Sequence, residues 1–299
     1  MYPAPSIILF TTLSGAGFGL LAFLGLGLPA VTGTTAFAFH AIGFVLAGGG
    51  LAAAAFHLGH PERALLAFTQ WRTSWLSREA WAAALVLAVM GLHGVLAVLG
   101  ARLPLLGLLG AALCLVTLIS TAMIYASLRT VPRWHHWSTP ALFLLYAAAG
   151  GALFAGQVTL AVILLIGLGL AQTFAWQAGD LRFVRSATTI STATGLTGGR
   201  VRAFEPPHTG PNYLLREMVH VVGRRHRVKL RAIALVLAAF LPAMLLLLPF
   251  SHLVAAFAAL SHLAGALVAR WLFFAEAEHG VGLYYGRAQG SSTSTQTSR

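Results

Sequence analysis

Two apolar stretches decide the fold of this chain: AFAFHAIGFVLAGGGLAAAAFH at residues 36–57 and EAWAAALVLAVMGLHGVLAVLG at residues 79–100. Each is long enough, as a helix, to cross a hydrocarbon core about 30 Å thick. The segment between them instead carries Arg63, Arg72 and Arg78. Two apolar segments joined by a basic segment are typical of a hairpin of transmembrane helices.

The same pattern recurs along the whole chain, which is 58% hydrophobic and only 9% charged. Soluble domains contain about 25% charged residues, so a soluble fold is excluded. We predict an all-α membrane bundle of eight transmembrane helices within one domain, residues 1–288, followed by a disordered polar tail, residues 289–299. The predicted spans lie at about residues 7–28, 36–57, 79–100, 104–128, 139–155, 157–178, 230–249 and 251–273.

The basic residues lie almost entirely on one side of this predicted bundle. When the segments between spans are numbered as loops 1 to 7, loops 2, 4 and 6 and the C-terminal segment hold nearly all of them. The odd-numbered loops together hold only Arg102. Because lysine and arginine favour the cytoplasmic side, both termini are predicted to be cytoplasmic. Topology and contact with anionic lipid account for the net charge of +12, and the chain has no motif for binding nucleic acid.

Loop 6, at about residues 179–229, is long for a connection between membrane helices. It contains a run of small residues at 186–199, a proline-stiffened turn at 202–210 and an amphipathic stretch at 213–229. Long loops in compact proteins are often functional, so we interpret loop 6 as a surface on which a partner protein docks. Contact of its amphipathic part with lipid is the alternative interpretation.

Cys114 is the only cysteine of the chain. A single thiol excludes a disulfide framework and an iron–sulfur cluster held within the chain, which needs about four ligands. If the protein handles electrons, the metal centres that deliver them belong to another subunit.

Four polar residues at the predicted cytoplasmic ends of the helices are candidates for a site. His57 ends the second span, Glu79 opens the third, Arg129 follows the fourth and Arg270 lies near the end of the eighth. Ionisable groups at the edge of the hydrocarbon are costly and therefore often functional. A histidine and arginines that hydrogen-bond a carbonyl, with a carboxylate that relays protons, suit a quinone. Ordinary interfacial anchoring of the arginines and stabilisation of Glu79 by the helix dipole are the alternatives.

Histidines within the spans raise the possibility of a haem. His40 and His57 lie at opposite ends of one predicted helix, His93 lies in the third, and His252 and His262 lie in the eighth. His93 with a residue of the eighth helix could ligate a haem, although no matching pair on neighbouring helices is evident. We favour packing roles for these histidines, and a di-haem cytochrome b subunit remains the first alternative. A secondary transporter and an anchor without a quinone site are the others.

Several motifs resemble the membrane anchor subunit of the dimethyl sulfoxide reductase family, in eight-helix order over about residues 5–288. They are FHLGHPERA at 56–64, WRTSWLSRE at 71–79, TVPRW at 130–134, WSTP at 137–140 and RWLFFAEA at 270–277. The loop 6 motifs FEPPHT at 204–209 and YLLRE at 213–217 look more like the sulfite-oxidising branch.

The resemblance implies a haem-free subunit in the bacterial inner membrane that exchanges electrons with menaquinone or ubiquinone. It implies two partners on the cytoplasmic face: a four-cluster, ferredoxin-like iron–sulfur subunit and a molybdopterin catalytic subunit. In the family, a histidine and a glutamate of the hairpin between the second and third helices are tied to quinol binding. By motif these correspond to His57 and Glu79.

Overall fold

The protein is a bundle of long helices. The computed structural model describes residues 2–56, 58–196, 199, 201, 202, 204, 205 and 226–285, and within these it has helices and no strands. We label the long apolar helices α1 Pro5–Gly25, α2 Gly33–Ala55, α3 Trp75–Val98, α4 Pro104–Ala126, α5 Ser138–Phe154, α6 Val158–Asp180, α7 Arg227–Leu246 and α8 His252–Ala275.

The predicted spans correspond to these helices, with ends that differ by a few residues. Within the described residues, seven of the helices are long and apolar enough to cross a membrane. The remaining one, α5, has 17 residues, at the lower end of the lengths that span a bilayer. The predicted hairpin over residues 139–178 is confirmed, because α5 ends at Phe154 and α6 begins at Val158.

The outer surface of the bundle is apolar, as lipid contact requires. Large hydrophobic side chains such as Phe37, Leu105, Leu170 and Phe257 are each more than 60% exposed. On a soluble protein an apolar surface of this extent would cause aggregation, whereas hydrocarbon solvates it.

The helices form two groups of four. In the first group α1 packs on α2 and α4, while α3 packs on α2 and α4; in the second, α6 and α8 each pack on both α5 and α7. Helix α1 joins the groups through contacts with α5 and α8. Its packing on α5 depends on Gly19, where a Cβ would fall on the carbonyl group of Ala147. Small residues of this kind let helix backbones approach closely in lipid.

We expect the Gly19→Val substitution to disrupt the joint between α1 and α5. The added side chain meets backbone that cannot move aside, and overpacking of a tight site typically costs about 1–3 kcal/mol. The measurement is the yield and the thermal unfolding temperature of the protein in detergent. Gly49→Val in α2, where a Cβ meets nothing within 4 Å, is the matched control, and equal stability of the two variants would contradict the prediction.

Helix α7 contains a π-helical turn at Val236–Phe240, just before Pro242. Proline has no N–H group to donate to the carbonyl group four residues earlier, which belongs to Ala238. Helix α8 supplies the missing donor: Nδ1 of His262 lies 2.7 Å from the Ala238 carbonyl oxygen, and the Ser261 hydroxyl donates to Leu237 at 2.9 Å. His262 therefore packs between helices and binds a backbone carbonyl group that has lost its donor, which agrees with the packing role favoured from the sequence.

The even-numbered loops gather at one end of the bundle, which we call the basic end. It comprises loops 2, 4 and 6 and the segment after α8, where the Gly280 N–H donates to the Thr130 carbonyl at 3.0 Å. Loops 1 and 3 meet at the opposite end, where Arg102 donates to the Ala30 carbonyl at 3.1 Å. Of loop 6, the structure describes the short helices Arg182–Arg185 and Ile190–Thr194. Residues 206–225 and the predicted tail lie outside the described residues.

Candidate functional site

Glu79 lies in the first turns of α3, beneath the hairpin that connects α2 to α3. This hairpin forms a 3-10 helix over Pro61–Phe68 and is fastened to α3 by side-chain bonds. The Ser77 hydroxyl donates to the Ala67 carbonyl, and the Trp81 indole donates to the Phe68 carbonyl at 3.0 Å. The position of Glu79 is therefore set by both the helix and the loop that precedes it.

The Glu79 side chain is buried, with 4% of its surface exposed. The Thr121 hydroxyl of α4 lies within hydrogen-bond distance of both the Glu79 carboxyl group and the Thr117 carbonyl. With its single hydrogen it donates to Glu79 when the carboxyl group is ionised, and to Thr117 when a protonated Glu79 donates to it. A carboxyl group taken out of water and held by one hydroxyl group can exist in either protonation state, which is the property a proton relay needs.

Arg270 is buried to the same degree in α8. Its guanidinium carbon lies 3.6 Å from the centre of the Phe143 ring and 5.1 Å from that of Tyr146, as in a cation–π contact. Tyr125, one helical turn after Thr121 in α4, has its ring centre 5.6 Å from that of Phe143, so contacts lead from Glu79 through α4 to Arg270. The structure thus brings together two of the four residues predicted for the site.

The other two predicted residues are not part of this buried group. Arg129 is exposed just beyond the end of α4. His57 lies outside the described residues, so its predicted proximity to Glu79 stays a prediction.

A cluster of four charged side chains next to this site was not predicted. Arg231 of α7 donates to both carboxylate oxygens of Asp180, at 2.7 and 2.8 Å, and to both of Glu276, at 2.8 Å each. Arg133 of loop 4 donates to Asp180 at 2.8 Å and to Glu276 at 3.3 Å. This ion cluster joins loop 4 and helices α6 and α7 to the end of α8. Its two positive and two negative charges compensate one another.

The sequence contains a signal for the ion cluster. The whole chain has only seven acidic residues, and two of them, Asp180 and Glu276, stand at the C-terminal ends of apolar helices. A buried carboxylate at such a position needs a partner. Arg231 is 45 residues from Glu276 and 51 from Asp180 in the sequence, so their pairing cannot be predicted before the fold is known.

Two small cavities share Arg270 and Tyr146 in their linings. One of about 40 Å³ is also lined by Glu276 and Arg133. The next, of about 10 Å³, is also lined by Thr12, whose buried hydroxyl has no hydrogen-bond partner among the described residues. Since one water needs about 10–15 Å³, both cavities are of a size for water and are too small for a quinone ring. Arg270 therefore borders space for water rather than for a ring.

A larger surface cavity, about 370 Å³, lies at the basic end beside α4 and includes His135 and His136 in its lining. Nδ1 of His135 donates to the Ala126 carbonyl at 2.7 Å, which leaves Nε2 as an acceptor when the ring is neutral. Nδ1 of His136 accepts from the Ser138 N–H at 3.3 Å, so Nε2 of that neutral ring carries the hydrogen. Burial, and to a lesser extent the charge of Arg182, lowers the pKa of His136 and favours the neutral form. The two rings offer one acceptor and one donor.

His40 and His93 correct one point of the sequence analysis, which found no histidine pair on neighbouring helices. They lie on α2 and α3, with Nε2 of His40 3.1 Å from Nδ1 of His93. This direct contact leaves no space for a haem iron between the two facing nitrogens. Among the described residues, no group of three or more histidine, cysteine or acidic side chains could hold a metal ion.

Comparisons with known proteins agree with the motifs. Residues 1–286 match the family described as DMSO reductase anchor subunit (DmsC). The chain is 37% identical to a subunit of the sulfite dehydrogenase of Allochromatium vinosum, over 95% of this chain and 99% of that protein. No solved structure matches the chain significantly. A membrane bundle with these hairpin motifs and a family match over nearly its whole length belongs to the anchor subunits of the DMSO reductase family.

Proposed function

We propose that this chain is a haem-free anchor subunit that binds quinone or quinol and passes electrons between the quinone pool and an iron–sulfur partner. The family supports the anchor role, and the name of the Allochromatium relative favours a complex that oxidises sulfite over one that reduces a sulfoxide. The observation that carries the quinone assignment is the buried Glu79 carboxylate, bonded to Thr121 at the basic end of the bundle.

We propose that the chain crosses the bacterial inner membrane eight times, with both termini in the cytoplasm. The ion cluster supports a crossing by α5: Arg133 just before α5 bonds Asp180 at the end of α6, so this hairpin leaves the basic end and returns to it. The arginine-rich loops at that end support its cytoplasmic assignment.

In the proposed reaction, Glu79 exchanges protons with the quinone or quinol headgroup, while His57 from the same hairpin hydrogen-bonds it. The exposed Arg129 contributes positive charge at the mouth of the site. Arg270, predicted to bind quinone, is buried at the same end and contributes a positive charge to the site. Either menaquinone or ubiquinone meets these requirements.

The partners proposed are a four-cluster, ferredoxin-like subunit and a molybdopterin catalytic subunit, docked on the cytoplasmic face. The chain has one cysteine, too few to hold an iron–sulfur cluster, which supports an electron donor or acceptor in another subunit. Loop 6 is the proposed docking surface, since it is the longest segment outside the helices and lies at the same end as Glu79.

Co-purification tests this function. We expect the tagged chain, solubilised in mild detergent, to bring down a molybdopterin subunit and a multi-cluster ferredoxin-like subunit, identified by mass spectrometry. The reduced-minus-oxidised visible spectrum of the complex should lack cytochrome b bands. A haem spectrum would favour the di-haem alternative. A chain that purifies alone or as a homo-oligomer would remove the electron partner, in favour of a transporter.

A further inference from the structure

A further cavity lies at the opposite end of the bundle from Glu79, among helices α1 to α4. It has a volume of about 360 Å³, within the range of small-molecule sites. Its wall is mostly apolar and includes Leu24, Val31 and Leu108. Among the described residues that line it, the polar side chains are those of His40, His93 and Arg102. Nothing in the proposed quinone reaction uses them.

The two histidines form a fixed chain that ends at the cavity. Nδ1 of His40 lies 2.8 Å from the Ala36 carbonyl oxygen, which can only accept, so this nitrogen donates. In the neutral ring Nε2 of His40 then accepts from Nδ1–H of His93 at 3.1 Å. Nε2 of His93 is left for a ligand: it accepts from a hydroxyl group when the ring is neutral and donates to an anionic oxygen when it is protonated. A Cβ added at Gly107 of α4 would be 3.1 Å from this nitrogen.

Arg102 supplies a permanent positive charge at the same cavity. One of its five N–H donors binds the Ala30 carbonyl at 3.1 Å, and the guanidinium group is exposed. No acidic residue occurs in the odd-numbered loops, so the sequence provides no carboxylate at this end to neutralise it. An apolar cavity with a cation at its rim selects a molecule that has an anionic head and a hydrocarbon body.

We propose that this cavity binds an anionic amphiphile, whose headgroup oxygen anion binds Arg102 and whose hydrocarbon chain lies against the apolar wall. Nε2 of His93 accepts from a headgroup hydroxyl group where the ligand has one. The recognised chemistry is an oxygen anion, carried either by a fatty-acid carboxylate or by the phosphate group of an acidic phospholipid. The site is independent of the quinone reaction, because it lies at the other end of the bundle.

Photo-crosslinking tests the proposal with the full chain, in its complex, in phosphatidylcholine nanodiscs. The probes are palmitate, phosphatidylglycerol and phosphatidylcholine, each bearing a diazirine on its acyl chain. We expect saturable labelling of peptides containing residues 24–31 or 101–108 by an anionic probe. Labelling by palmitate identifies the carboxylate as a ligand, and labelling by phosphatidylglycerol identifies the phosphate. Equal labelling by phosphatidylcholine, or no labelling of these peptides, would overturn the proposal.

Two variants and one control distinguish a loss of ligand binding from a loss of folding. Arg102→Gln should weaken binding of the anionic probe about tenfold, the effect of losing one charge-assisted hydrogen bond. Ala97→Phe should abolish labelling by filling the cavity while leaving the charges in place. Arg185→Gln removes the same charge from an exposed position at the basic end and should change nothing. Unchanged binding in Ala97→Phe would show that the ligand lies elsewhere, whether or not Arg102→Gln folds.

Discussion

Replacement of Arg231 by methionine is expected to destabilise the protein by about 3–5 kcal/mol, the usual cost of removing one partner from a buried ion pair. Arg231 donates four hydrogen bonds to Asp180 and Glu276, and methionine fills a similar length without donating any. Arg133 alone would then face two carboxylates, so the cluster would carry an uncompensated negative charge. The measurement is the yield of membrane-inserted chain and its thermal unfolding in detergent.

Arg227→Met is the matched control, because Arg227 is an exposed residue in the first turn of the same helix. We expect it to change stability by only a few tenths of a kcal/mol. The double variant Arg231→Met with Asp180→Asn restores the charge balance and should recover part of the loss. If Arg231→Met is no less stable than Arg227→Met, the cluster does not hold the helices together.

Exchange of Glu79 for glutamine is expected to lower quinone-linked turnover by about 100-fold, at the lower end of the range for general acid–base catalysis. The substitution keeps the shape of the side chain. Its amide oxygen can still accept the hydrogen bond from Thr121, so the complex should assemble normally. What is lost is the group that takes up and releases a proton. The assay is reduction or oxidation of a soluble quinone analogue by membranes, normalised to the amount of complex.

Glu62→Gln serves as the control for this variant, since Glu62 lies in the same hairpin with its side chain 66% exposed, paired with His60. We expect its turnover to match that of the unaltered protein. Normal turnover in Glu79→Gln, with the complex intact, would refute the proton-relay role. A loss of turnover in both variants would point to damage to the hairpin rather than to the chemistry of Glu79.

The helices could be predicted from the sequence because each apolar stretch is long, carries at most one charged residue and is bounded by polar, glycine or proline residues. Residues 139–178 show this well: glycines near the middle indicate a turn, and the structure has one between Phe154 and Val158. Glu79 and Arg270 could be singled out by the same physics, because an ionisable group within an apolar helix is costly unless it has a purpose.

The pairings across the bundle could not be predicted, because they depend on which helices become neighbours and on how each is rotated. His40 and His93 are 53 positions apart, and their contact follows only from the packing of α2 on α3. The ion cluster likewise draws on four separate segments. For Arg129 the sequence suggested a contact that the structure does not show. Its position beside the end of α4 suggested a site shared with Glu79 and Arg270, whereas its side chain is exposed.

The ion cluster also constrains the order in which the protein can be made. Its members leave the ribosome in the sequence Arg133, Asp180, Arg231 and Glu276, and the last follows the end of α8. Until then the nascent chain carries two arginines against a single aspartate at this cluster. Glu276 therefore completes the charge balance only after α8 has been made. A chain cut short before residue 276 would keep a surplus positive charge where α6 ends and α7 begins.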